Sequence, residues 1–331
     1  MPYGFRISPA WWPALAVLSP ILVPLTLARW RSFVAGQKDV EMLNSRRMAE
    51  AEKLDLPGLK SMELTVVVEE EHDEGFVGEA GVSYLLRTDK GSLLMDIGFG
   101  EEQKAFAHNC ERLGLTMKDV DAILVSHLHL DHMGGLKAQR ARKLGLPAGF
   151  GAGEGKPCYV PDSCEAEGFV VHQVQKPMML ECGLATTGPL ARMLFFFGQM
   201  EEQAVIAHIE GKGLVVLTGC GHPTIQVILA MARSLSDEPI YAVGGGLHFP
   251  ITRSRGSKLG IEMQQIFGTG KPLWQSIGDD DLDQTIQTLN QAGPKRLLLS
   301  PHDSCDYAVS RLTNEVNAEV EVLRAGAKYD L

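Results

Sequence analysis

His127, His129, Asp131 and His132 fall within six residues, inside the run Ser126-His127-Leu128-His129-Leu130-Asp131-His132-Met133-Gly134-Gly135. Neutral imidazole nitrogens suit zinc, iron and other borderline transition metals. His127 and His129, two apart on extended backbone, point the same way and can clamp one ion. Asp131 and His132 are displaced along the chain and suit a second ion beside it. A polar turn with scattered histidines is the bland alternative. It is disfavoured because the chain has ten histidines and three of them share these six positions with an aspartate. The expected cofactor is one or two divalent metal ions, zinc in the first place, with iron or manganese also compatible.

Such a cluster needs rigid support. Residues 122–125, Ala-Ile-Leu-Val, read as a buried strand running into it, and Gly134-Gly135 lets the chain turn away. The arrangement recurs. The apolar run 213–218 ends in Gly219-Cys220-Gly221-His222-Pro223, the run 240–243 leads to Leu247-His248, and the run 296–300 ends in Pro301-His302-Asp303. Asp96 closes another strand just before Gly98 and is expected to orient a ligand histidine from behind. His72, His108, His172 and His208 lack such context and read as surface or packing residues.

Around these segments, residues 62–68, 82–86, 92–96, 169–174 and 203–209 read as strands. Residues 102–113, 137–144, 225–235 and 279–291 read as helices. Residues 145–168 are rich in glycine and proline and read as a surface loop or solvated connection. The apolar run 193–197 reads as core.

The 331 residues are 45% hydrophobic, enough for one large α/β domain with additions. A net charge of −10 argues against nucleic acid as a partner. Six cysteines without a C-x-x-C pair point to a reducing compartment. Residues 7–28 carry no charge; Arg6 precedes them, Arg29, Arg31 and Lys38 follow, and Trp11, Trp12 and Trp30 sit near the ends. As a helix this stretch would cross a bilayer core of about 30 Å. Residues 1–38 are therefore expected to be an uncleaved membrane anchor, whose heavier positive flank keeps the catalytic domain in the cytoplasm. A hydrophobic leader on a cytoplasmic protein is the alternative. Residues 39–60 read as a spacer helix and residues 61–331 as the catalytic domain.

The H-x-H-x-D-H pattern of residues 127–132 resembles the signature of the metallo-β-lactamase superfamily. The order of Leu64-Thr65-Val66-Val67-Val68-Glu69, Asp96-Ile97-Gly98, Thr186-Thr187-Gly188, Thr218-Gly219-Cys220-Gly221-His222-Pro223, Gly245-Gly246-Leu247-His248 and Ser300-Pro301-His302 is similar to one branch of it. That branch is the 7,8-dihydropterin-6-methyl-4-(β-D-ribofuranosyl)-aminobenzene-5′-phosphate synthase-like proteins, and the resemblance covers about residues 62–310. It implies an α/β (α+β) fold, a four-layer αββα sandwich with a metal site at one edge, here preceded by a hydrophobic N-terminal helix. Two departures stand out. The superfamily's separate histidine is expected near Thr186-Thr187-Gly188, and its bridging aspartate where Cys220 stands. The resemblance then implies His222 as the third ligand beside His127 and His129. Asp131, His132 and His302 would hold the second ion, with His248 either replacing His302 or facing the substrate as a catalytic group. Cys220 either bridges as a thiolate or lies behind the ligands as an inert thiol. Thr187 is a candidate substrate contact.

The implied activity is hydrolysis of an ester or phosphoester of a small, anionic or lipid-like molecule by a metal-activated hydroxide, with Asp131 orienting it or carrying a proton. A pterin synthase-type transfer that displaces pyrophosphate is one alternative. A non-catalytic, membrane-tethered metal sensor is another. Residues 249–278 form an insertion, either solvated or a lid whose Arg253 and Arg255 grip a phosphate or a headgroup.

Overall fold

Alternation along the strands assigns each apolar side chain to one of two faces. In Met62–Val68, Leu64 and Val66 oppose Val67; in Ser83–Thr88, Tyr84 and Leu86 oppose Leu85; in Gly91–Met95, Leu93 and Met95 oppose Leu94. The computed structural model, which describes residues 5–331, shows where each set goes. Leu64, Val66, Tyr84 and Leu93 meet Val205, Val215, Leu217, Ala242 and Leu298 in a core between two sheets. Val67, Leu85 and Leu94 face outward and pack against Phe106 and Cys110 of the helix Ala105–Leu113. On the second sheet, Ile206, Val216, Val243 and Leu297 face the helices Ile225–Leu235, Asp279–Ala292 and Asp306–Glu315. Three apolar layers thus separate four structural ones, and the architecture is the αββα sandwich. Truncating a residue such as Leu94 to alanine would cost about 2–5 kcal/mol.

The first sheet runs in the order Lys328–Asp330, Met62–Val68, Ser83–Thr88, Gly91–Met95, Ala122–Leu124, Pro157–Val160 and Val170–Gln173. Its last three pairings are parallel. The second sheet begins with four parallel strands, Glu319–Val322, Arg296–Leu299, Ile240–Gly245 and Gly213–Leu217, and continues antiparallel through Val205–Ile209, Ala185–Thr186 and Met178–Met179. Helix ends follow local chemistry. Asp279, Asp280 and Asp281 open their helix where its dipole favours negative charge, and Gly293, at φ 67°, closes it.

Several expectations need correction. Residues 145–168 are not wholly a loop: Pro157–Val160 is a strand with Cys158, Tyr159 and Val160 buried. Its short run beside Ala122–Leu124 has too few residues to show a period. Residues 39–60 are not a separate spacer. One helix, Trp12–Ala49, continues through Pro20 and Pro24 and past the expected boundary. The chain then extends, and Gly58–Leu59 pairs with Val205–Ile209. The apolar run 193–197 divides at a hairpin between Leu190–Leu194 and Gly198–Glu202, which buries Phe195 and leaves Phe197 57% exposed.

The long helix is long and apolar enough to cross a membrane by length and composition. Its second half packs on the domain: Phe33 and Val40 are buried, and Asn44 exchanges two 2.8 Å hydrogen bonds with the Ala191 backbone. Its first half exposes Val17, Ile21 and Leu25. The residues before it return to the insertion, where Ser8 N–H donates to Gly260 O at 2.7 Å and Trp11 Nε1–H donates to Leu259 O at 3.0 Å.

Candidate metal centre

Four segments bearing ligand-type side chains leave the C-terminal ends of parallel strands, and they converge at one edge of the sandwich. Asp96 organises the first. It adopts φ 61°, a left-handed conformation that a non-glycine residue holds only under tight surroundings. Those surroundings are visible. Its carboxylate accepts the Ser126 N–H at 2.6 Å and the Ser126 O–H at 2.6 Å, and meets His132 Nδ1 at 2.7 Å. This aims His132 Nε2 at Cys220 Sγ, 3.0 Å away, with Asp131 Oδ2 at 3.7 Å. Cys220 Sγ lies 3.2 Å from His302 Nε2.

Asp131, His132, Cys220 and His302 place their ligand atoms within 4.8 Å of one another, as do His127, Cys220 and His222 in a second group. Cys220 is common to both and to a third, with His248 and Asp303. His129 Nδ1 sits 3.1 Å from His222 Nε2, and its ring lies 4.6 Å from that of His127. Residues far apart in sequence are therefore brought together in the pattern the strand ends suggested. His248 lies at the edge of this arrangement. It too is left-handed, at φ 58°; its backbone N–H donates to Asp303 at 3.1 Å, and its ring lies 4.6 Å from that of His222.

Two buried carboxylates were not singled out from the sequence. Glu202 accepts the N–H groups of Gly219, Gly221 and His222, at 3.2, 2.8 and 2.8 Å, and so shapes the loop that carries Cys220 and His222. Glu69 accepts the hydroxyls of Tyr84, at 2.8 Å, and Ser300, whose oxygen lies 2.6 Å from His302 Nδ1. Glu69 directly follows the apolar strand Met62–Val68, and that placement was the available signal; Glu202 ends the polar strand Gly198–Glu202, which offered none.

The electrostatics favour cation binding. Burial pulls His127, His222 and His302 well below the usual histidine range, and pushes His129 and His248 down to about 3. These rings are neutral, which is the form that ligates metal. His132 is the exception: burial pulls it down, but the carboxylates of Asp131 and Asp96 outweigh this and raise it to about 9. Burial and four surrounding carboxylates hold the Cys220 thiol protonated, a preference that a bound cation would invert. Moreover, His127 Nε2 and both ring nitrogens of His248 are buried without a hydrogen-bond partner. A buried polar nitrogen is costly in that condition, and a metal ligand is one way to satisfy it. The donor set fits one or two divalent ions.

A 220 Å³ cleft opens onto the cluster. His129, Asp131, Cys220, His222 and His248 line one side, and Phe197, Phe267 and Met263 the other. The insertion packs against the site: Gln264 Nε2–H donates to His302 O at 3.0 Å, and His222 Nδ1 lies 3.1 Å from Gly268 O. Its expected arginines do not line this cleft. Arg255 donates to Pro301 O, Ser304 O and Asp306, so its guanidinium is spent on the scaffold, and Arg253 is exposed away from the cleft; Lys258 is the basic residue at the opening. Thr187 is also displaced. It is buried, its hydroxyl donates to Gly188 O and accepts from Ala204 N–H, and it lines a separate cavity beside Arg47.

Residues 77–142, which hold Asp96 and all of residues 127–132, match the family model described as the metallo-β-lactamase superfamily. That segment thus carries the superfamily's sequence pattern, and the fold of the chain is the metallo-β-lactamase fold. It resembles the 7,8-dihydropterin-6-methyl-4-(β-D-ribofuranosyl)-aminobenzene-5′-phosphate synthase of Methanocaldococcus jannaschii, at 22% identity over 228 residues, 54% of this chain and 73% of that one. Among solved structures, Tm1679, a metal-dependent hydrolase of the β-lactamase superfamily, superposes with a TM-score of 0.57 at 20% identity, covering 82% of this chain and 99% of its own. The metallo-β-lactamase fold protein YhfI from Bacillus subtilis gives 0.50 at 15% identity, covering 82% and 100%. At these identities the structural likeness speaks for the fold.

Proposed function

We propose that the protein is a metal-dependent hydrolase acting on an ester or phosphoester of a small, anionic molecule. The carrying observation is the convergence of buried imidazoles, neutral apart from His132, on Cys220 Sγ, with His127 Nε2 lacking any other partner. His127, His129 and His222 would hold one divalent ion, zinc foremost, and Asp131, His132 and His302 a second, Cys220 being common to both groups. A bound ion of this kind lowers the pKa of water and polarises the attacked group. The chain's own residues do the rest. Asp131 lines the cleft and would take the proton released by the attacking water. Asp96 and Ser300 hold His132 and His302 in one orientation through their Nδ1 atoms. Phe197 and Phe267 limit water around the reacting group. His248, with no hydrogen-bond partner on its ring, faces the substrate.

Turnover of an ester and phosphoester panel by purified protein should be abolished by chelation and restored by metal. Failure to turn over any member would overturn the reading in favour of a metal sensor. The M. jannaschii likeness supports a transferase as the second reading. It predicts that product forms only when an amine acceptor is supplied, with release of pyrophosphate.

We also infer that residues 7–28 bind a membrane, with Arg29, Arg31 and Lys38 holding the domain at the cytoplasmic face. The bonds from Ser8 and Trp11 to the insertion return the helix start to the catalytic domain. In this arrangement the helix lies along one leaflet, and full crossing would break them. Removing residues 1–28 should shift the protein from the membrane to the soluble fraction; an unchanged distribution would refute membrane binding.

A further inference from the structure

A second cavity, of 370 Å³, lies behind the wall that His222, His248 and Gly268 present to the first. It is polar where the metal-facing cleft is apolar, and none of its cationic groups serves the ligand cluster. Arg192, from the hairpin strand Leu190–Leu194, is half-buried, and its guanidinium lies against Gly270. A Cβ at Gly270 would come within 2.4 Å of Arg192 Nε, so glycine leaves the guanidinium its place. Among the described residues Arg192 donates no hydrogen bond from its side chain, which leaves its fork of five donors open to the cavity, with the Asp281 charge nearby.

The helix Ile225–Leu235 begins at the same cavity. Thr224 precedes it at φ 81° without capping it through its side chain. The first N–H groups of the helix therefore have no intrahelical partner and, with the helix dipole, present a positive end. Lys271 also lines the cavity, paired at 2.7 Å with Asp281, the only carboxylate among the cavity's lining residues. Two cations and a helix start thus face one carboxylate.

We propose that this cavity binds a phosphate or similar tetrahedral oxyanion, and that its wall of His222 and His248 makes it the subsite for the anionic group of the substrate. The link to substrate rests on the hydrolytic reading; binding of the anion does not. Arg192 supplies a bidentate contact, the Ile225 and Gln226 N–H groups supply backbone donors, and Lys271 adds the second charged contact.

Titration calorimetry of inorganic phosphate into the metal-loaded, full-length protein tests this. The wild type should bind saturably, Arg192→Gln should weaken binding by about tenfold or more, and Asp281→Asn should tighten it by removing the competing charge. Absence of binding, or equal affinity in wild type and both variants, would overturn the proposal, the latter because phosphate would then sit on the metals alone. If Arg192→Gln does not fold, Asp281→Asn decides: tighter binding supports the subsite and unchanged binding removes it. Turnover of a neutral ester by the wild type, sensitive to chelation, tests the hydrolytic reading separately. Phosphate bound through Arg192 in a protein inert to every ester would leave the anion site standing and remove the hydrolase.

Discussion

The two sheets furnish the metal centre in different ways. The first supplies His127, His129, Asp131 and His132 from one loop, locked by a single carboxylate, Asp96, behind it. The second supplies Cys220 and His222, His248, and His302 from three strand ends, and needs separate supports: Glu202 for the first loop, Asp303 for His248, Ser300 with Glu69 for His302. A compact motif can be fixed by local geometry. A dispersed one depends on the alignment of whole strands, and each contributor carries its own buried polar support. The first half should therefore be more sensitive to single substitutions than the second.

His127→Ala carries the largest expected effect. Losing a ligand to the ion removes several kcal/mol of transition-state stabilisation, about a thousandfold in rate, and one metal equivalent should disappear by elemental analysis. Next comes Asp96→Asn, which keeps the shape but weakens the grip on Ser126 and His132; metal affinity should fall by about 10–100-fold in a competition titration with a chromophoric chelator. Glu202→Gln is expected to cost least, since an amide oxygen still accepts from the loop 219–222; a loss of about tenfold at most in metal affinity is anticipated, the lower end of what an outer support contributes. A larger loss in Glu202→Gln than in Asp96→Asn would reverse the ranking of the two halves.

The insertion adds a second contrast. Residues 249–278 were expected to act through Arg253 and Arg255, yet the tertiary structure turns Arg255 onto Pro301, Ser304 and Asp306 and places Lys258 and Phe267 at the opening. Sequence cannot say which basic side chain of a short hairpin and single-turn helix faces inward, because no period long enough to define a face exists there. Thr187 fails for a related reason: its hydroxyl is consumed by the backbone of Gly188 and of Ala204, and the second pairing is visible only when the fold brings Ala204 beside it.

What the chain determined alone was considerable. The spacing in residues 127–132 and the ligand-type residues after four apolar runs pointed to the metal centre, because strand ends and ligand chemistry are both local properties. The runs at residues 62–68, 82–86 and 92–96 likewise read as strands, and the resemblance carried by residues 127–132 implied the αββα sandwich that they enter. Tertiary structure alone decided the rest. It placed Cys220 Sγ between His132 and His302, gave Glu69 and Glu202 their supporting roles, hid the strand Pro157–Val160 inside a glycine-rich stretch, and set Arg192 behind His248. Each of these depends on which segments from distant parts of the chain become neighbours across a sheet, and no local pattern encodes that distance.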